Sequence, residues 1–159
     1  MTMQISPETH PIIWGYGPGA SASLLDTADW VCLKNAKGCM ITVIEIGNNA
    51  TDLVLTVHEG QTGAGTTAIT TGAEFPIWIN TDVTASDAMV RQTDALTYTV
   101  THSAVAKMVQ FYIKAANLTP GYDWIQLGAA SGHATNIVCV FYQLDGLRYQ
   151  QTTPPTAIA

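Results

Sequence analysis

Three strand-like runs between residues 107 and 142 constrain the fold of this chain more than any other feature. Breaks that contain Gly, Pro, Ser and Asn separate the runs, which are residues 107–114, 122–127 and 136–142. Short apolar or alternating runs bounded by turn residues are typical of β-strands. Alternation places Val109, Phe111 and Ile113 on one face of the first run. We therefore predict a β-meander in this part of the chain.

The remaining sequence continues the same pattern of short strands and turns. The further runs are residues 30–33, 39–46, 52–58, 75–79 and 97–101. No long helical period and no alternation of strands with helices is present, so we predict an all-β fold. The number and spacing of the runs predict an antiparallel β-sandwich of eight or nine short strands. Its topology is predicted to be jelly-roll-like or immunoglobulin-like, and we prefer jelly-roll-like. Residues 39–46 are apolar on both faces apart from Thr42 and Glu45. This indicates a central strand that is covered on both sides or lies at an interface.

The 159 residues fit one domain with an irregular segment at each end. Residues 1–29 are rich in Pro and Gly and are predicted to be an arm and loop, whose stretch from Ile12 to Tyr16 is either extended or a first short strand. Residues 30–149 are the predicted sandwich domain. Residues 150–159 contain two consecutive prolines and are predicted to be an extended tail.

Charged residues make up only 11% of the chain, against roughly 25% in an average protein. The net charge is −6 and the six basic residues form no cluster, so we expect no nucleic-acid partner and no acidic membrane partner. The polar surface must then be largely Thr, Ser, Asn, Gln and Gly. Two interpretations stay open: a surface that packs against other protein, or an ordinary sandwich whose strands favour Thr.

The cysteines number three, an odd count that does not suit a disulfide framework. Cys32 and Cys39 flank a plausible hairpin turn at residues 34–38, which would let them face each other. Buried free thiols are the favoured interpretation for these two and for Cys139. The N-terminus resembles no signal peptide and no apolar run is long enough to span a membrane, so we expect a protein that folds in a reducing cytoplasm.

No catalytic, cofactor or metal motif is complete. The Gly-rich residues 60–66 lack the Lys and Ser/Thr ending of a phosphate loop, and His58-Glu59 lacks the second His of a zinc motif. The adjacent pair His102 and Ser103 sits on opposite sides of an extended chain, and no nucleophile elbow is present. We expect no enzyme activity, no cofactor and no metal.

The aromatic residues allow a second class of function. Four tryptophans and six tyrosines could form a platform on which sugars stack, or they could belong to a core or an oligomer interface. A glycan- or receptor-binding sandwich of a phage fibre or tail is therefore the alternative prediction. It requires two or more tryptophans that lie exposed side by side.

The last third of the chain resembles a known family at three places. Residues 117–128 read NLTPGYDWIQLG, residues 134–138 read ATNIV, and residues 147–157 read LRYQQTTPPTA. This pattern is similar to small structural proteins of tailed bacteriophages that act as capsid decoration, or cement, proteins. The resemblance implies a jelly-roll or related sandwich on the outside of a capsid, usually as a dimer or trimer, and it implies no enzymatic residues.

The resulting prediction is a non-enzymatic structural virion protein that is made in the host cytoplasm and decorates or cements the capsid exterior. Its expected partners are itself, as a homodimer or homotrimer, and the major capsid protein. The predicted interface residues lie in the two irregular ends, and they are Ile12, Ile13, Trp14, Tyr16, Tyr149, Pro154, Pro155 and Ile158.

Overall fold

The computed structural model describes residues 10–24, 27–47, 50–64, 67–68 and 73–147. These residues form eleven β-strands and two short 3-10 helices, at Ser21–Ser23 and Ala115–Asn117. The strands are β1 (Ile12–Ala20), β2 (Val31–Cys32), β3 (Gly38–Ile46), β4 (Leu53–Gly60), β5 (Thr67–Ala68), β6 (Ile77–Asn80), β7 (Val90–Arg91), β8 (Thr97–Val100), β9 (Lys107–Lys114), β10 (Trp124–Ala129) and β11 (Ile137–Asp145). The predicted all-β fold is confirmed.

The strands form two antiparallel sheets. One has six strands in the order β1-β11-β3-β9-β6-β7, and the other has the order β2-β10-β4-β5, with β8 also paired to β4. The inner faces of both sheets contribute to one buried apolar cluster, as the predicted sandwich requires.

The pairings between strands are nested. The first strand pairs with the last, β1 with β11, and then β2 pairs with β10, β3 with β9 and β4 with β8. Two further pairings, β11 with β3 and β10 with β4, join these nested pairs into the sheets. The chain therefore resembles a long hairpin that is rolled up into a sandwich.

The predicted meander at residues 107–142 is wrong. Its first and third runs, β9 and β11, lie in the six-stranded sheet on either side of β3, whereas the middle run β10 lies in the other sheet. The breaks at residues 115–123 and 130–136 therefore cross between the sheets. Alternation correctly predicted the buried faces of these strands but held no information about which strands pair.

The predicted hairpin at residues 34–38 is also wrong, because β2 and β3 belong to different sheets. The backbone N–H of Lys37 donates to the carbonyl oxygen of Asp145 at 2.9 Å, and that of Ala115 donates to the carbonyl oxygen of Lys37 at 2.9 Å. Hydrogen bonds to β11 and to the start of the second 3-10 helix thus hold the segment between β2 and β3. The three cysteines are free: Cys39 is buried, and Cys32 and Cys139 are half-buried.

The core lies between the sheets and matches the predicted alternation. Leu53, Leu55 and Val57 of β4 are buried, as predicted. Opposite them, the Tyr142 side chain of β11 is fully buried, and its hydroxyl oxygen accepts a hydrogen bond at 2.9 Å from the backbone N–H of Leu127 on β10. This bond links the two sheets inside the core.

Part of the segment predicted as an N-terminal arm is the edge strand β1. It pairs with β11 from Ile12 to Ala20, with register shifts on either side of Tyr16. Gly17 has a φ of 78°, and a Cβ there would collide with the carbonyl oxygen of Val138. Only glycine fits such a position. The predicted tail at residues 150–159 lies outside the described residues.

Candidate interaction surface

The outer face of the six-stranded sheet is made largely of apolar side chains, with a few neutral polar ones among them. Strand alternation directs every second residue away from the core, and these residues are half-buried or exposed. We call the following set the apolar face: Ile12, Trp14, Met40, Thr42, Ile44, Ile46, Trp78, Met108, Gln110, Tyr112, Ile137, Cys139, Phe141 and Gln143. None of these side chains carries a charge. The outward-facing charged residues of this sheet stand at its ends and edge, and they are Lys114, Asp145 and Arg91.

The central row of the apolar face crosses five strands. Register places Trp14, Phe141, Thr42, Gln110 and Trp78 directly opposite one another in that order. The rings of Trp14 and Phe141 meet edge to face with centroids 5.1 Å apart. The Gln110 Nε2 donates to the Thr42 Oγ1 at 3.2 Å. The row is therefore continuous, and its Gln110–Thr42 pair is bonded within the face.

The apolar face is accessible in the isolated chain. Ile12 is 69% exposed, Trp14 51%, Ile137 43% and Ile46 42%. A depression of about 300 Å³ opens between β1 and β3, and it is lined by Ile12, Thr42, Phe141 and Gln143. Contiguous apolar surface of this kind marks interaction sites in soluble proteins.

Charged groups border the apolar face. At one end, the Tyr112 hydroxyl donates to the Asp145 Oδ2 at 2.6 Å, and the His10 Nε2 lies 3.3 Å from the Asp145 Oδ1. The bond to Asp145 raises the pKa of Tyr112 to about 12. At the far edge, the Arg91 guanidinium stacks over the Trp78 ring at 4.9 Å. The charges therefore form a rim with both signs.

The outer face of the five-stranded sheet is more polar, above all where β4 pairs with β8. Thr97 and Thr99 on β8 are exposed and lie opposite Thr56 and Val54 of β4. Next to them Gly128 of β10 also lies opposite Thr56. Hydroxyl groups along exposed strands hydrogen-bond to water, so this face is suited to solvent.

Three of the charged residues that the structure describes are buried, Glu45, Glu59 and Lys107, and the importance of Glu45 was not identified from the sequence. Glu45 is 1% exposed, and neither of its carboxylate oxygens has a hydrogen-bond partner among the described residues. Burial raises the pKa of Glu45, and the charge of Lys107 on the neighbouring strand lowers it in part. The Lys107 Nζ donates to the Thr101 carbonyl oxygen at 2.6 Å. Glu45 is thus a poorly compensated buried carboxyl group.

Only part of the predicted N-terminal interface lies on the surface. Ile12 and Trp14 belong to the apolar face, but Ile13 is 6% exposed and packs in the core, because alternation in a paired strand turns it inward. Tyr16 is partly buried and its hydroxyl donates to the Ala20 carbonyl oxygen at 3.0 Å.

The predicted C-terminal interface residues lie outside the described part of the chain, and they are Tyr149, Pro154, Pro155 and Ile158.

The prediction of interface residues missed most of the apolar face, which comes from β3, β9 and β11. The signal is present in the sequence, since residues 39–46 are apolar on both faces apart from Thr42 and Glu45. Met40, Ile44 and Ile46 are the outward half of that pattern, and β3 lies between β11 and β9 at the centre of the sheet. The pattern indicated an interface, but not which strands would lie beside it.

His102 and Ser103, which were considered for catalysis, hold loops in place, and so does Ser131. The His102 Nδ1 lies 2.9 Å from the Asp52 Oδ1, and contacts to His102 lower the pKa of Asp52. The Ser103 Oγ accepts the Val105 N–H, and the Ser131 Oγ donates to the Asp52 carbonyl oxygen. Across the described ranges, no group of three or more potential ligands lies close enough to hold a metal ion. Nor is any helix there long and apolar enough to cross a membrane.

The tryptophans do not lie side by side. Trp30 is 6% exposed. Trp14 and Trp78 are separated by the three strands between β1 and β6, and Trp124 is on the other sheet. This arrangement does not provide the paired platform that the glycan-binding alternative requires.

Comparisons with known proteins add no relative to this description: no family model, no curated protein and no solved structure matches the chain.

Proposed function

We propose that this protein is a non-enzymatic structural virion protein that decorates or cements a phage capsid through subunit contacts. The observation that carries the proposal is the uncharged apolar face, which spans five strands of one sheet. A continuous apolar surface of this extent serves assembly. The hydrogen-bonded serines and histidines elsewhere serve loop structure, so they give no reason to assign a reaction.

The strand order supports a jelly-roll assignment within this proposal. A jelly roll has eight strands in two sheets joined as two Greek keys. The nested pairs β1–β11, β2–β10, β3–β9 and β4–β8 supply eight strands that alternate between the sheets in this way. The strands β5, β6 and β7 are then additions between β4 and β8. Jelly rolls are common in viral capsid proteins, although the fold alone does not fix a function.

Two of the segments that resemble phage decoration proteins lead into the last two strands of the sandwich. Residues 117–128 lead into and form most of β10, and residues 134–138 lead into β11. On the capsid exterior, many copies of a weak contact would add up, because neighbouring sites on a lattice raise the effective concentration. We propose the major capsid protein and further copies of this chain as partners.

The proposal is tested on particles of the phage whose genome encodes the chain. We expect mass spectrometry of purified virions to detect this protein in a fixed ratio to the major capsid protein. We also expect antibodies against it to label the capsid exterior in electron microscopy. Absence from purified particles, or labelling confined to the fibre tips, would contradict the proposal.

A truncation addresses the role of the tail. We expect a chain that lacks residues 150–159 to keep its circular dichroism spectrum and to occupy capsids less fully than the intact chain. If the truncated and intact chains occupied capsids equally, the tail would not contribute to assembly and the apolar face would be the main assembly surface.

A further inference from the structure

We propose that the apolar face binds the same face of a second copy of this chain, so that two six-stranded sheets stack about a two-fold axis. The inference rests on the proposed function in that it takes this face as an assembly surface. It goes further by stating which surface pairs the two copies and with what symmetry.

The distribution of charge favours a second copy. Each chain has a net charge of −6, yet the apolar face has no charged side chain, so two copies meet without opposing like charges. Different proteins usually recognise each other through complementary charges, which this face lacks. Interfaces between identical subunits are more apolar than other interfaces, as this one is.

Polar groups within the face are already bonded inside the chain. The Gln110 Nε2 donates to the Thr42 Oγ1 at 3.2 Å, and the Tyr112 hydroxyl donates to the Asp145 Oδ2 at 2.6 Å. Covering such groups with an apolar surface costs less than covering polar groups that have no partner within the chain. The exposed Gln143 lies in the row next to the charged rim.

The face is large enough to form a substantial part of a dimer interface. Its fourteen side chains each cover about 4.8 Å by 6.8 Å of the sheet, which gives a projected area of roughly 460 Å². Stable interfaces bury about 800 Å² of accessible surface per partner. Two copies of one twisted sheet also have matching curvature, so they can stack about 10 Å apart as sheets do within a sandwich.

Sedimentation equilibrium of the full chain tests the proposal without capsids. We expect a mass of twice 17.0 kDa, and we expect Ile44→Glu at the centre of the face to raise the dissociation constant roughly 100-fold or more. The matched control is Thr99→Glu on the outer face of the other sheet, which should remain a dimer. Circular dichroism checks that both variants fold, and Met108→Gln replaces Ile44→Glu if that variant does not.

The cysteines provide a second measurement in the unmodified protein. Cys139 lies in the apolar face, Cys32 lies on the other sheet, and both are half-buried and free. We expect alkylation of Cys139 to slow as the protein concentration rises, while alkylation of Cys32 keeps its rate. The buried Cys39 reports unfolding.

Several results would overturn the proposal. They are a wild-type monomer at about 100 μM, a trimer, dimers that persist in the face variants, or equal protection of Cys139 and Cys32. A monomer that still labels capsids would reject the two-fold pairing and keep the proposed function. A dimer that is absent from virions would reject the proposed function and keep the two-fold pairing.

Discussion

The two sheets have similar inner faces and very different outer faces. Both inner faces follow strict alternation, with Phe111 of β9 and Leu55 of β4 fully buried between them. Outside, the five-stranded sheet presents threonines beside Val54 and Trp124, whereas the six-stranded sheet presents a larger set of tryptophan, isoleucine and methionine side chains. A sandwich needs only its inner faces to be stable, so the second apolar surface adds nothing to the core. The difference teaches that the outer apolar side chains need a reason other than the stability of the core, and the proposed assembly surface supplies one.

Strand β3 shows the same contrast within one element. Its only charged residue, Glu45, points inward and is buried, while Met40, Ile44 and Ile46 point outward. A half-exposed strand normally has the opposite polarity. The outward pattern agrees with a protein surface as the environment of this face.

The largest expected effect separates the inner and outer faces of β9. We expect Phe111→Ala to lower the free energy of unfolding by about 3–5 kcal/mol, because it removes a fully buried ring. Met108→Ala, three residues away on the outer face, should cost the monomer less than about 1 kcal/mol. Urea unfolding at low protein concentration measures both. Equal losses would mean that the outer face already packs within one chain.

A smaller effect concerns Glu45. Burial holds its pKa above the usual 4.5, so the penalty for its charge is absent below pH 4.5 and is fully present above its pKa in the folded protein. We expect Glu45→Gln to stabilise the protein at pH 7 by about 1–3 kcal/mol. The gain should shrink as the pH falls towards 4.5. Thermal unfolding of both proteins from pH 4.5 to 8 gives the difference, in which the opposite contribution of Asp52 cancels. If the difference in stability between the two proteins did not change with pH, Lys107 would be shown to compensate the buried charge of Glu45.

The smallest pair of effects compares two exposed residues. Trp14→Ala removes the edge-to-face contact with Phe141 and should cost the monomer about 0.5–1.5 kcal/mol. Thr99→Ala on the other sheet should stay within about 0.5 kcal/mol of the wild type. Thermal unfolding at low concentration distinguishes them, and a larger loss for Thr99→Ala would contradict the contrast between the faces.

Much of the local structure was predictable, and most of the pairing was not. Alternation identified the buried sides of β4 and β9, since a two-residue period is a property of each strand by itself. It did not show that β10 crosses to the other sheet, because pairing depends on residues far apart in the chain. For the same reason Trp14 was predicted to lie at the interface but Phe141, its partner on β11, was not. The role of Glu45 depended on what surrounds it after folding.

The nested pairing also sets the order in which the chain can fold. Among the described strands β1 has β11 as its one partner, and Ile12 pairs with Gln143 near the other end of the described chain. Contacts between such distant residues slow folding, because a long loop must close before they form. Until β11 has paired, β1 has no neighbouring strand and one edge of β3 is unpaired. This unpaired edge of β3 can pair with a strand from another molecule. Refolding yield should therefore fall with protein concentration, which makes slow, dilute conditions the route to the native sandwich.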